Sequence, residues 1–263
     1  MSDMNTPQAP APSTSTPSDA PLMSTPETLS NIFFEPGRTF DALRWRPRFL
    51  VAGIIIALSV MAFTFLLYQR IGFENMVRQA IEASPRTAEM PAEQREQIIT
   101  MQTGTVFKTI AYLSPLIGVA IFIAAGAALN LLGAMAMGKG ISYKQALSLY
   151  VYSSLPPAVL IMVANILLLF LKSPDSIDAA TAQRGLVHAN LGILIDGAAR
   201  PVLATALGAF DLFAFYGLFL AATGLRKVAR LSSGSAWAIV LVIWLLGVVI
   251  RLALAAVSGS AMA

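Results

Sequence analysis

The chain has 263 residues, 56% hydrophobic and 12% charged, with a mean hydropathy of +0.70. Soluble domains carry about 25% charged residues, so these values indicate a membrane protein, and the lack of cysteine excludes disulfide frameworks, thiolate metal sites and thiol catalysis. The net charge of +4 does not point to nucleic acid, because the basic residues flank apolar runs, where they set orientation and meet lipid headgroups.

Residues 1–24 are rich in Pro, Ser, Thr and Ala and hold almost no large apolar group. Such a segment buries too little surface to offset its ordering entropy, and disorder is expected. It has neither the basic start nor the apolar run of a signal peptide. Residues 25–48 form an amphipathic juxtamembrane region. Thr25, Pro26 and Glu27 read as a helix start, and Leu29, Ile32 and Phe33 then share a face. Pro36-Gly37 breaks this piece, and a second one sets Phe40, Leu43 and Trp45 among arginines. Phe33, Phe40, Trp45, Arg46 and Arg48 are the expected anchors in the headgroup layer, where rings and guanidinium groups both find partners.

A membrane domain follows over 49–257, with spans expected at about 49–68, 110–137, 151–171, 202–225 and 236–257 and a short tail at 258–263. Between the first two spans, Gln69 to Lys108 carries five basic and five acidic residues and reads as a solvated pair of amphipathic helices. The second span has a small-residue flank around Gly126, suited to close helix approach, with Asn130 placed for a polar contact across it. The third is preceded by the basic turn Lys139 to Lys144 and contains Pro156 and Pro157. These strip donors from carbonyls one turn earlier, so a kink is expected there. Asn165, within it, is the other lone amide in the spans. The turns between spans two and three, and four and five, hold five basic residues and no acid, which predicts a cytoplasmic N-terminus and an outside C-terminus in the cell membrane.

Asp211 and Arg251 are the charged residues inside spans, where charge is costly. At about 1.5 Å per residue each lies roughly 21–23 Å from the inner side, so an ion pair between them is the leading expectation. The alternatives are snorkelling of Arg251 to the outer interface and a proton or cation relay through Asp211. The single histidine, His188, has no nucleophile or carboxylate beside it in sequence, and phosphate loops, metal triads and dinucleotide fingerprints are absent. No catalytic residue, cofactor or metal is expected.

Three stretches carry a resemblance: IFFEPGRTFDALRWRPRFL, GKGISYKQALSLYVYSSLPPAVL and FDLFAFYGLFLAATGLRKVARLSSGSAWAIVLVIW. Over roughly Ile32 to Leu252 the chain resembles the bacterial branch of the Yip family, the Ypt/Rab-interacting membrane proteins. Its most specific parts are Gly140-Ile141-Ser142-Tyr143-Lys144, the stretch Tyr150 to Pro156, and Gly224-Leu225. The resemblance implies a five-helix membrane domain with a cytoplasmic N-terminal region and, in eukaryotic members, binding of prenylated Rab GTPases. The Asp-Leu-Tyr-Gly-Pro signature of those members is absent, with Phe34-Glu35-Pro36 in its place. The expected fold class is therefore all-α: a polytopic five-helix transmembrane bundle with short N-terminal interfacial helices. The expected role is a non-enzymatic scaffold that recruits a partner or organises membrane. The alternative is a small transporter or channel built on Asp211, Asn130 and Asn165. Expected partners are membrane lipids, an unidentified protein and, as a homo-oligomer, a second copy of the chain.

Overall fold

The computed structural model describes residues 23–262 except 83, 85, 86, 88, 179–181, 183 and 184. The segment expected to be disordered falls, up to residue 22, outside the described residues. Among the described residues there are ten α-helices and no strand. They are α1 (Thr25–Phe34), α2 (Pro36–Trp45), α3 (Leu50–Ile71), α4 (Phe73–Glu82), α5 (Ala92–Thr103), α6 (Thr105–Ala136), α7 (Tyr143–Leu171), α8 (Pro201–Gly208), α9 (Leu212–Val228) and α10 (Ser233–Ser258).

Local chemistry sets these boundaries. Ser24 and Glu27 form a reciprocal capping box at the start of α1, and Ser142 and Gln145 form another at α7. Pro36 opens α2 where its missing N–H is no loss. Gly72, at φ +89°, turns α3 into α4, a conformation that side chains resist.

Four helices, α3, α6, α7 and α10, are long and apolar enough to cross a membrane. Their outer faces carry Leu50, Ile54, Leu58, Ile117, Ile121, Phe122, Leu246, Val249 and Ile250, all exposed. An apolar belt of this extent suits hydrocarbon and not water. The fourth expected span, 202–225, is corrected: it is two helices, α8 and α9, separated at 209–211. The reason lies at Asp211, whose carboxylate accepts the Ala214 N–H at 2.8 Å and caps α9. The capping position needs extended backbone, so the helix cannot run through it. Asp211 also forms an isolated bridge with Asn190, and the Leu212 N–H donates to the Ala189 carbonyl.

Helix α7 is the hub, with α3, α6 and α9 packed along it and α2 against its first turns. The main core gathers at its N-terminal end, where Phe40 and Leu43 of α2 meet Leu149, Tyr152 and Leu155 of α7 and Leu225 of α9. A second core lies at the other end, with Phe63, Leu67 and Met76 against Leu169 and Leu186. There the Arg70 guanidinium donates to the Lys172 carbonyl at 3.0 Å and lies over the Phe170 ring, tying α3 to the end of α7. Pro156 and Pro157 sit inside α7, which is assigned as helix throughout; the Ser153 hydroxyl donates to the Tyr150 carbonyl at 2.9 Å.

Helices α4 and α5 pack against each other beyond the spans, joined by Arg78, which donates twice to Glu96 at 3.0 and 3.1 Å. The first of these interactions, the hydrogen bond, holds the Glu96 carboxyl below its ordinary range and raises Arg78 above its own.

Two predictions follow from this packing. Phe40→Ala should lower unfolding free energy in detergent by about 3–5 kcal/mol, whereas Trp45→Ala, at an exposed position, should change it by less than about 0.5 kcal/mol. Because the Glu96 pKa is depressed in the fold, its contribution is complete above the unfolded carboxyl pKa and is lost as pH falls through the folded value. Hydrogen exchange in α4 and α5, corrected for intrinsic rates, should therefore accelerate as the medium becomes acidic below the ordinary carboxylate range. Glu96→Gln should remove that dependence.

Candidate functional site: a lateral groove and a docked N-terminal pair

Helices α6, α7, α9 and α10 leave an open groove of about 420 Å³, mostly apolar, with Asn130, Tyr150, Ser153, Asp211 and Gly217 among its lining residues. Two contacts fix the levels of α7 and α9. A Cβ on Gly224 would stand 3.0 Å from Leu149 and 3.1 Å from Phe40, and one on Gly217 would stand 3.6 Å from Pro157 and 4.0 Å from the Ser153 carbonyl oxygen. On the α6 side, the Tyr150 ring lies directly on Gly126, where a Cβ would stand only 2.1 Å from it. Gly126 thus lies against Tyr150 of α7.

Asn130 is 4% exposed. Its amide N–H donates back to the Gly126 carbonyl at 2.8 Å, along its own helix and not across to another. That bond fixes the orientation of the amide, since a carbonyl only accepts. The Asn130 Oδ1 is buried and has no partner within the protein. A second acceptor faces the same space: Pro157 has no N–H to offer the Ser153 carbonyl. Asn165 behaves differently. Its Oδ1 accepts from the Leu186 N–H and from the Val187 N–H at 3.0 Å, and its amide donates to the Ile161 carbonyl at 2.9 Å. It clamps the 185–187 loop against α7 and takes no part in the groove.

Asp211 and Arg251 are held by other partners than each other. The Asp211 carboxylate caps α9, and the exposed Arg251 has its Nε 3.4 Å from the Gly247 carbonyl. The ion pairs among the described residues are Arg38–Glu35, Arg78–Glu74, Arg78–Glu96 and Lys227–Asp41.

The expected headgroup anchors divide. Phe40 is corrected: it is 0% exposed and lies in the core beneath Gly224. Phe33 packs partly against that core, Arg46 is exposed, and the Arg48 guanidinium donates to Thr25 at 3.1 Å. Trp45 is 56% exposed, with the Arg44 guanidinium 5.1 Å from its ring centre. Two ties that the sequence reading missed hold α2 in place. The Lys227 ammonium donates to Asp41 at 2.7 Å, and the Gln145 amide donates to the Arg44 carbonyl at 2.8 Å. A lone acid among the arginines of α2 is the signal that points to the first. His188 is exposed, and no cluster of potential metal ligands occurs among the described residues.

An all-helical chain with four apolar helices of spanning length and this lipid-suited exterior defines a multi-pass membrane protein. The Yip1 domain model matches residues 30–254, and the chain belongs to that family. No curated protein and no solved structure matches it.

The caps and partners above give a prediction for the two intramembrane charges. Asp211→Ala should cost about 1 kcal/mol through loss of the α9 cap, and Arg251→Leu should stay within about 0.5 kcal/mol of the parent. Thermal unfolding in detergent checks both; a larger loss at Arg251 than at Asp211 would restore the ion pair.

Proposed function

We propose that the chain is a non-enzymatic member of the bacterial branch of the Yip family, lying in the cell membrane with its N-terminus in the cytoplasm and its C-terminus outside. Its role is to organise lipid and to recruit a protein partner at the cytoplasmic surface. The observation that supports this best is the docked α1–α2 pair. Its core face is buried at Ile32, Phe40 and Leu43, while Phe34 is 84% exposed at the end of α1 and Trp45 and Arg46 are exposed at the far end of α2. Aromatic groups with arginines at a rigid rim suit both headgroups and a partner's surface. The same end carries the basic residues Lys139, Lys144, Arg226 and Arg230, in keeping with a cytoplasmic position. A second copy of the chain is one such partner. Solute conduction through Asp211, Asn130 and Asn165 is the weaker reading, because Asn165 is committed to the 186–187 backbone.

Deleting everything before Phe49 would uncover the core, so point changes make the better test. Proximity crosslinking from full-length protein in native membranes should lose its specific partners at least tenfold in a Phe34→Ser/Trp45→Ala/Arg46→Gln variant. Protein level and melting temperature should be kept. An unchanged set of crosslinked proteins would remove the recruiting role.

A further inference from the structure

We propose that the groove between α6, α7, α9 and α10 is a binding site for a neutral lipid bearing a free hydroxyl, of the monoacyl- or diacylglycerol class. The proposal stands apart from partner recruitment by α1–α2.

Its volume, about 420 Å³, falls in the range of small-molecule sites. The walls are apolar, including Pro157, Ile161, Leu218 and Ile243, and they belong to helices whose outer faces meet hydrocarbon. An occupant entering from the side is therefore an acyl chain before it is anything else. What the groove asks of the rest of the molecule is set by unclaimed polar atoms. The Asn130 Oδ1 is an acceptor in a buried position without a partner, and leaving such a group unpaired is costly. The Ser153 carbonyl, deprived of a helical donor by Pro157, is a second acceptor, close to Gly217 of α9. The Ser153 hydroxyl is used by the Tyr150 carbonyl.

The occupant must bring a donor. A phosphate headgroup brings acceptors and negative charge, and neither Lys nor Arg lines the groove to receive it. An ammonium finds its natural counter-charge at Asp211, but Asp211 lies ten residues from Ala221, about 15 Å along α9 and near the other end of the groove. A hydroxyl meets the requirement at Asn130 without burying charge. The depth agrees with this choice. Asn130 stands six residues before Ala136, the last residue of α6, about 9 Å inside the end that leads into the basic turn. The hydroxyl of a lipid without phosphate can settle below the phosphate plane and reach this level, with its chain running toward Pro157 and Gly217.

The test uses full-length protein in nanodiscs with a photoactivatable diacylglycerol, its methyl ether, and a phosphatidylglycerol carrying the same photoactivatable chain. The free-hydroxyl probe should label α7 and α9 peptides facing the groove at least tenfold more than either comparator, equivalent to about 1.4 kcal/mol. Asn130→Leu should reduce labelling to the ether level. Gly217→Leu, which puts a larger side chain on the α9 wall beside Pro157, should do the same and leaves Asn130 unchanged should the first variant misfold. Equal labelling by the ether would mean that the groove only solvates chains and would overturn the proposal. Equal labelling by the phospholipid would overturn it too, as would labelling indifferent to Gly217→Leu. Ion flux in liposomes abolished by Asp211→Asn would replace it with a conduction path.

Discussion

The contact on which the bundle depends is the close approach of α6 and α9 to α7. In lipid, side chains gain little by leaving one apolar neighbour for another, so helices associate through packing and backbone proximity. Gly126 lets the Tyr150 ring lie flat on the α6 backbone, and Gly224 lets α9 close over Leu149 and Phe40. The second contact does more than join two spans. It shapes the end of the bundle into a seat for α2, which is then fixed electrostatically by Lys227 and Asp41 and by the amide of Gln145. The N-terminal pair is thereby part of the domain's core and not an appendage resting on the membrane.

The short reach of α9 has consequences at the other end. With 17 residues it extends about 25 Å, against about 48 Å for the 32 residues of α6. A bilayer core of about 30 Å is not crossed by α9 alone. Beyond the capped end of α9, α8 and the turn Leu191–Leu194 pack together and expose Leu191, Ile193 and Leu194. Irregular backbone at membrane depth is tolerated where protein covers it or where it lines a cavity. Both conditions hold here, since Asp211 caps α9, bridges Asn190 and lines the groove.

Four spanning helices and the connection at 69–108 were legible in the sequence because a continuous apolar run and its flanking charges are local properties. The break at 209–211 was not. Hydropathy averages side chains over a window, and one Asp among Leu, Phe and Ala barely moves that average, whereas its capping preference acts on the backbone. The depth arithmetic that matched Asp211 with Arg251 took no account of local partners: the carboxylate is taken by the first turn of α9, and Arg251 is exposed. Phe40 was misread for another reason. An aromatic among arginines has the composition of a headgroup anchor, and the residue that makes it a core group, Gly224, lies far away in sequence. Its i, i+3 spacing with Leu43 was the local hint. Asn130 and Asn165 looked alike as single amides in apolar helices; only the fold shows that a loop satisfies one and leaves an atom of the other unpaired.

That unpaired atom, with the prolines opposite, runs against what packing alone would favour. A leucine at 130 would fill the space and remove a buried acceptor, and a non-proline at 157 would restore the donor for the Ser153 carbonyl. Each polar vacancy of this kind costs about 1–3 kcal/mol when nothing occupies it, in a domain whose net stability is of the order of 5–15 kcal/mol. Local choices that oppose the fold concentrate where something other than folding is served. Here two such choices, on α6 and α7, face one space, and the third wall of that space is the helix cut short at Asp211. A continuous fourth span would carry helix through the position where Asp211 now ends α9. The broken helix, the proline pair and the lone acceptor are therefore features of one groove rather than separate imperfections.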